Sequence, residues 1–225
     1  MDFSVISENW RYLLFGAYPD GSPGGAVLTL WISILAGIAS SVLGVIWGIG
    51  LALSRGICSG ILSAVLGFFR AIPVIMLIFW IYFLLPIAFG WDIPKITTVV
   101  CGLALITSAY LAHAVKSGIV AVGQGQWSAG LSLGLNSWQI LRFIILPQVL
   151  RVMFPSFVNQ WISLIKDTSL AYVVGVNELT FLATQVNNRT MVHSMEVFLF
   201  VGLIYFILCF ILDFSVNYFL KKDTY

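Results

Sequence analysis

Charge is what this sequence has least of. Asp, Glu, Lys and Arg make up 9% of its 225 residues while 60% are hydrophobic, and soluble globular chains carry about 25% charged residues. So few ionic groups cannot cover a water-soluble domain, so most side chains must face lipid or one another. The 11 basic and 9 acidic residues leave a net charge of +2, with neither a basic tract for nucleic acid nor an acidic tail. Cysteine is scarce too: Cys58, Cys101 and Cys209 stand singly in apolar stretches. That spacing excludes a disulfide framework or a cysteine metal site, and the three read as small buried hydrophobes. His113 and His193 have no regular spacing to each other or to carboxylates, so nothing points to a metal centre or a nucleophile and its base. A Gly-x-x-x-x-Gly-Lys-Ser/Thr phosphate loop is missing as well. No ATP, Mg or other cofactor is therefore expected on this polypeptide.

What is present is apolar length. A membrane-spanning helix needs about 20 mostly apolar residues, and five stretches qualify: about Ala26 to Leu53, Ile61 to Phe89, Ile96 to Val122, Phe154 to Val176 and Val197 to Leu220. The expected fold is an all-α integral membrane protein, one transmembrane domain over residues 1–225. Residues 1–25 carry Asp2, Glu8 and Asp20 against Arg11 and lack a short apolar core before a cleavage site, so they read as an N-terminal segment and not as a signal peptide. Arg55, Arg70, Lys116, Arg142, Arg151, Lys221 and Lys222 fall on one side of the spans, and Arg11, Lys95 and Arg189 on the other. By the positive-inside rule the N-terminus is outside and the C-terminus cytoplasmic. The Gly44–Gly48 and Gly56–Gly60 spacings suit close helix packing.

Residues 123–145, between the third and fourth spans, are too polar to cross and fall on the cytoplasmic side. Trp127, Leu131, Leu135 and Trp138 are spaced four, four and three apart, one face of a helix. Such a helix either lies on the membrane or enters another protein's groove, where Ala129, Gly130 and Gly134 would let a partner approach the backbone. In the fourth span Lys166 and Asp167 sit mid-stretch, where a charge costs about 2.5–3.5 kcal/mol. They either satisfy partners in the bundle or line a pathway with Thr168. Asn159, Ser163 and Lys166 follow at spacings of four and three, a single polar stripe. Adjacent helical residues point about 100° apart, so Lys166 and Asp167 cannot both face one narrow pore. Glu178 reads as a solvated or helix-capping carboxylate, or as a gate. Arg70 reads as a structural arginine near a span end.

An ordered series of short strings runs through the chain: Phe69-Arg70-Ala71-Ile72-Pro73, Trp80-Ile81-Tyr82-Phe83, Ser108-Ala109-Tyr110, Gly125-Gln126-Trp127, Leu146-Pro147-Gln148, Lys166-Asp167-Thr168-Ser169-Leu170 and Glu178-Leu179. With Ser128-Ala129-Gly130, Gly134 and Ile145-Leu146-Pro147, the series resembles the polar amino acid permeases of ATP-binding-cassette importers and their "EAA" loop. Two positions depart from that pattern: Ser128 replaces the usual acidic residue and His113 a usual Glu. The resemblance implies a type I importer fold in the bacterial inner membrane, non-enzymatic, carrying glutamate, aspartate or their amides. It implies a second, identical or similar permease, a cytoplasmic ATPase dimer holding ATP and Mg, and an extracytoplasmic amino-acid-binding protein. Trp127, Ser128, Ala129, Gly130, Gly134 and Leu135 would then couple to the ATPase, and Asn159, Ser163, Lys166, Asp167 and Thr168 would serve the pathway. A self-sufficient ion-coupled carrier is the competing reading, with Lys166 and Asp167 as a relay.

Overall fold

The computed structural model describes residues 4–222; Asp2 and the side chains of Lys221 and Lys222, used above in the charge count, lie outside the described part. The helices are α1 Ser4–Phe15, α2 Gly25–Leu53, α3 Gly56–Ala71, α4 Val74–Phe79, α5 Leu85–Phe89, α6 Lys95–Ala121, α7 Gln124–Ser132, α8 Ser137–Ile140, α9 Leu146–Asp167, α10 Leu179–Thr190 and α11 Ser194–Lys222. Two π-helical turns, Trp80–Leu84 and Leu141–Ile145, join α4 to α5 and α8 to α9, and a 3₁₀ helix, Thr168–Val174, follows α9. Among the described residues the extended backbone forms only isolated bridges, Gly16 with Pro23 and Gly25 with Glu178.

Four helical runs are long and apolar enough to cross a membrane, or five if the broken pair 56–71 and 74–89 counts as one span. The first, third and fifth expected spans are α2, α6 and α11. The second is not continuous: Ile72 and Pro73 are both extended (ψ 137° and 138°), because Pro73 excludes helical backbone from the residue before it. The fourth starts earlier than expected, since helix runs without interruption from Ser137 to Val174. Ile140, Leu141, Ile145 and Val149 are buried at helical spacing there while Arg142, Gln148 and Arg151 stay exposed, so amphipathic periodicity extends the helix where mean hydropathy does not. That shift changes the setting of Lys166 and Asp167. They close α9 where it passes into the 3₁₀ helix, in the last third of this run and not at its middle.

The chain divides into two compact units. The first comprises residues 1–37, 73–103 and 161–225. One of its cores joins Leu13 of α1, Leu179, Leu182, Ala183 and Val186 of α10, and Val197, Val201 and Ile204 of α11. The other joins Ile32 and Ala36 of α2, Ile78, Val99, Leu103, Leu164 and Ala171. Neither α1 nor α10 was among the expected elements. The signal for α10 was present in Leu179, Leu182, Ala183 and Val186, spaced as one helix face.

The second unit comprises residues 38–72 and 104–160. Its α2 and α6 segments approach through Gly44 and Gly48, where an added Cβ would lie 2.6 Å from Leu111 Cβ and 2.5 Å from Val115 Cβ. Gly56 and Gly60 have open space instead, so only the first of the two glycine spacings is a contact face within the chain. Gly48→Leu is expected to lower the yield of folded, detergent-extracted protein several-fold, because overpacking costs about 1–3 kcal/mol and Ala112 backbone oxygen, 2.8 Å from that Cβ, cannot swing away. Gly60→Leu should extract like the parent; equal yields for the two variants would refute the packing role. Arg70 lies over the Tyr110 ring at 5.2 Å, and the Tyr110 hydroxyl donates to Arg70 backbone oxygen at 3.2 Å. Its structural reading thus acquires a partner, a cation–π contact joining two of the sequence strings. Of the cysteines, Cys58 and Cys101 are exposed and Cys209 half-buried, which corrects their reading as buried; exposed faces of membrane helices present apolar side chains to lipid.

Candidate functional site

Three places gather the residues singled out by the sequence. In the second unit, residues 124–145 fold into a helical hairpin. Helix α7 ends in a Schellman turn: Leu135 N–H donates to Gly130 oxygen (3.1 Å) and Gly134 N–H to Leu131 oxygen (2.9 Å), with Gly134 left-handed at φ +78°. Helix α8 then opens with a capping box, Asn136 Oδ1 accepting from Gln139 N–H and Gln139 Oε1 accepting from Asn136 N–H, both at 2.9 Å. The expected single helix face of Trp127, Leu131, Leu135 and Trp138 is therefore divided by a turn. Trp127 and Leu135 pack on the core formed by Ile140, Leu141, Ile145 and Leu111. Gly130 is buried against Ile140, whose Cγ1 would meet a Cβ there at 2.6 Å. Its smallness serves the hairpin's own packing, and not an outside backbone approach. The outward face consists of Ser128, Ala129, Gly134 and the apolar side chains of Leu131, Leu133 and Trp138, which are 57%, 77% and 59% exposed. Leu133 is the residue that periodicity missed, because it lies in the turn.

Along α9, Asn159 belongs to the second unit and Ser163 and Lys166 to the first. Asn159 and Lys166 are exposed and Ser163 is half-buried, and none of the three has a hydrogen bond or ion pair among the described residues. Asp167 is half-buried and Thr168 fully buried, its hydroxyl donating to Ile165 oxygen at 2.6 Å. Thr168 is thus turned away from the open side of the helix, since the 3₁₀ turn that begins there tightens the chain. His113 keeps its Nε2 buried and without a hydrogen-bond partner among the described residues.

The third place is the junction before α10 in the first unit, and it holds Glu178. Glu178 is fully buried, not solvated. It caps α10: Oε1 accepts from Phe181 N–H at 2.7 Å and Oε2 from Thr180 N–H at 2.8 Å. The Tyr205 hydroxyl of α11 donates to Oε2 at 3.0 Å. Next to it Thr29 of α2 accepts from Leu179 N–H at 3.2 Å, and Gly25 N–H donates to Asn177 oxygen at 2.9 Å. Gly24 is required at this crossing, because a Cβ would stand 2.8 Å from that Asn177 oxygen. Burial raises the Glu178 carboxyl from 4.5 to about 7, against the opposing pull of the backbone N–H groups of Thr180 and Phe181 and the Tyr205 hydroxyl. The carboxyl ties α10 to α11, and the backbone on either side of it, at Asn177 and Leu179, is bonded to α2. No group of His, Cys, Asp and Glu capable of holding a metal occurs among the described residues.

Four to five helical runs long and apolar enough to cross a membrane, joined by short helices, define a polytopic helical membrane protein. The chain belongs to the family of binding-protein-dependent transport system inner membrane components, whose family model matches residues 40–222. It is accordingly a multi-pass inner-membrane permease of the ATP-binding-cassette type, the non-catalytic subunit of such a transporter. It is 34% identical over 194 residues to the glutamine transport system permease protein GlnP of Escherichia coli (strain K12), covering 86% of this chain and 88% of that protein. It is 32% identical over 235 residues to the glutamate/aspartate import permease protein GltK of Escherichia coli O157:H7, covering 99% and 98%. Among solved structures, an amino acid ABC transporter superposes with a TM-score of 0.78 at 27% identity, over 87% of this chain and 91% of that one. The MetNI methionine ABC transporter in an inward-facing conformation superposes with a TM-score of 0.75 at 20% identity, over 88% and 94%, which supports the same fold.

Proposed function

We propose that this chain is the pathway-forming subunit of an importer for glutamine, glutamate or aspartate. The observation that carries this reading is the match to an acidic amino acid permease over 99% of this chain and 98% of its relative. ATP and Mg are held by a separate cytoplasmic ATPase dimer. That dimer receives the outward face of the α7–α8 hairpin, so its opening and closing moves the attached spans between two access states. The other partners are a second, identical or similar permease, membrane lipid and an extracytoplasmic binding protein. The excess of Lys and Arg on one side supports an N-terminus outside and a cytoplasmic hairpin.

Within the bilayer, the α9 stripe supplies polar contacts to the amino acid, with Lys166 meeting a carboxylate. The test is uptake of labelled glutamine and glutamate into proteoliposomes holding the full assembly. Lys166→Met retains the apolar stem and should reduce uptake roughly tenfold, the effect of about 1.4 kcal/mol, with complex yield and basal ATPase rate retained. In a purely structural role, loss of the lysine would strand Asp167 and lower yield. The Lys166→Met, Asp167→Asn double variant would then recover both yield and transport, an outcome that removes Lys166 from the pathway. Cysteines placed at Ser137 and Asn188 in the same preparation should label from opposite sides of the membrane.

A further inference from the structure

The first unit contains a cavity of about 530 Å³ at the start of α2 and α6, lined by Leu28, Trp31, Lys95, Ile96, Val176 and Asn177 among others. Its size lies within the range of small-ligand sites. Its walls are apolar and its lining holds one charge, Lys95. A Cβ at Gly175 would lie 3.2 Å from Lys95 Nζ, so the ammonium rests against bare backbone. Gly175 is left-handed at φ +70°, a conformation that side chains rarely adopt, so the space stays clear. No acidic side chain pairs with Lys95 among the described residues, and none lines the cavity. An amino acid zwitterion would find a cation for its carboxylate but no carboxylate for its ammonium. An anionic amphiphile matches this lining better: its oxyanion meets Lys95, and its hydrocarbon follows Leu28, Ile96, Val176 and Trp31. The location agrees with that chemistry. Lys95 is the first residue of one span, and Trp31, 56% exposed, lies in the second turn of another, and Trp and Lys are the residues that gather at membrane–water interfaces.

We propose that this cavity binds an anionic phospholipid, with the headgroup phosphate on Lys95 and an acyl chain against Trp31. Through Val176 and Asn177 the lipid would brace the segment leading into the Glu178 junction.

The test uses the delipidated full-length chain, titrated with an equimolar mixture of phosphatidylglycerol and phosphatidylcholine of the same acyl chains and read by native mass spectrometry. The wild type should retain phosphatidylglycerol roughly fivefold over phosphatidylcholine, the preference that one lysine confers at an anionic surface. Lys95→Met should abolish the preference and Lys95→Arg restore it, both eluting from size exclusion like the parent because Lys95 is exposed. Equal retention of the two lipids by the wild type, or an unchanged preference in Lys95→Met, would overturn the proposal. Displacement of the lipid by millimolar glutamine or glutamate would also overturn it and identify an amino acid site. Displacement by inorganic phosphate would do the same in favour of a free-anion site.

Discussion

Leu133→Glu is expected to abolish ATP-driven uptake while leaving the amount of permease in the membrane unchanged. Leu133 is 77% exposed in the turn between α7 and α8, so the variant costs the folded chain little. In the docking proposed above, a carboxylate at this position would be desolvated without a partner, at a cost of several kcal/mol, and each 1.4 kcal/mol is about tenfold in affinity. Copurification of the ATPase should be lost along with uptake. Gly130→Val offers the contrast. Its side chain would drive into Ile140, at 2.6 Å, and unseat the hairpin, lowering yield as well as coupling. Gly134→Ala falls between the two, since a non-glycine residue at φ +78° strains the Schellman turn without meeting any neighbour. Normal uptake and normal ATPase retention in Leu133→Glu would refute the docking role of this face.

Glu178→Leu should reduce folded permease about tenfold. It removes the acceptor for two backbone N–H groups and for the Tyr205 hydroxyl at a fully buried site. Each unsatisfied buried donor costs about 1–3 kcal/mol, against a total stability of about 5–15 kcal/mol for a typical fold. Glu178→Gln retains the shape and one acceptor oxygen and should recover most of the yield. The pair also separates a pH effect. The folded-state carboxyl value of about 7 exceeds the ordinary 4.5, so the folded chain holds this proton more tightly than the unfolded one. That contribution is present in full below about 4.5 and is lost as pH rises through about 7. Thermal unfolding in detergent should therefore show wild-type stability falling between pH 5 and 8 by an amount that Glu178→Gln lacks. Parallel pH profiles would show that Glu178 ionises in the folded chain as it does in water.

The placement of several candidate residues on helices could be read from residue order because helical spacing is a local signal. The stripe of Asn159, Ser163 and Lys166 depends only on helical spacing, and α9 holds all three. The hairpin was legible as a polar interval with apolar spacing, but not as two helices, because the left-handed turn at Gly134 and the Asn136 capping box act over three or four residues and interrupt the longer period. Glu178 could be read as a cap candidate from its place before Leu179, yet its burial depends on Tyr205 and Thr29, 27 residues ahead and about 150 behind.

Composition, apolar length and motif order are properties of the chain alone, and they were enough to establish a membrane-embedded helical permease without a phosphate loop. Which glycines are contact surfaces followed from packing in three dimensions. Gly44 and Gly48 meet Leu111 and Val115 while Gly56 and Gly60 meet nothing, although both pairs share one spacing. That packing also turned Gly130 inward and Leu133 outward, and made Glu178 a buried cap of α10 that accepts from Tyr205 of α11. The physical reason is the same in each case: a small side chain or a carboxyl group has no preferred side until another segment arrives to fill the space or donate the hydrogen bond, and that segment is distant in the chain.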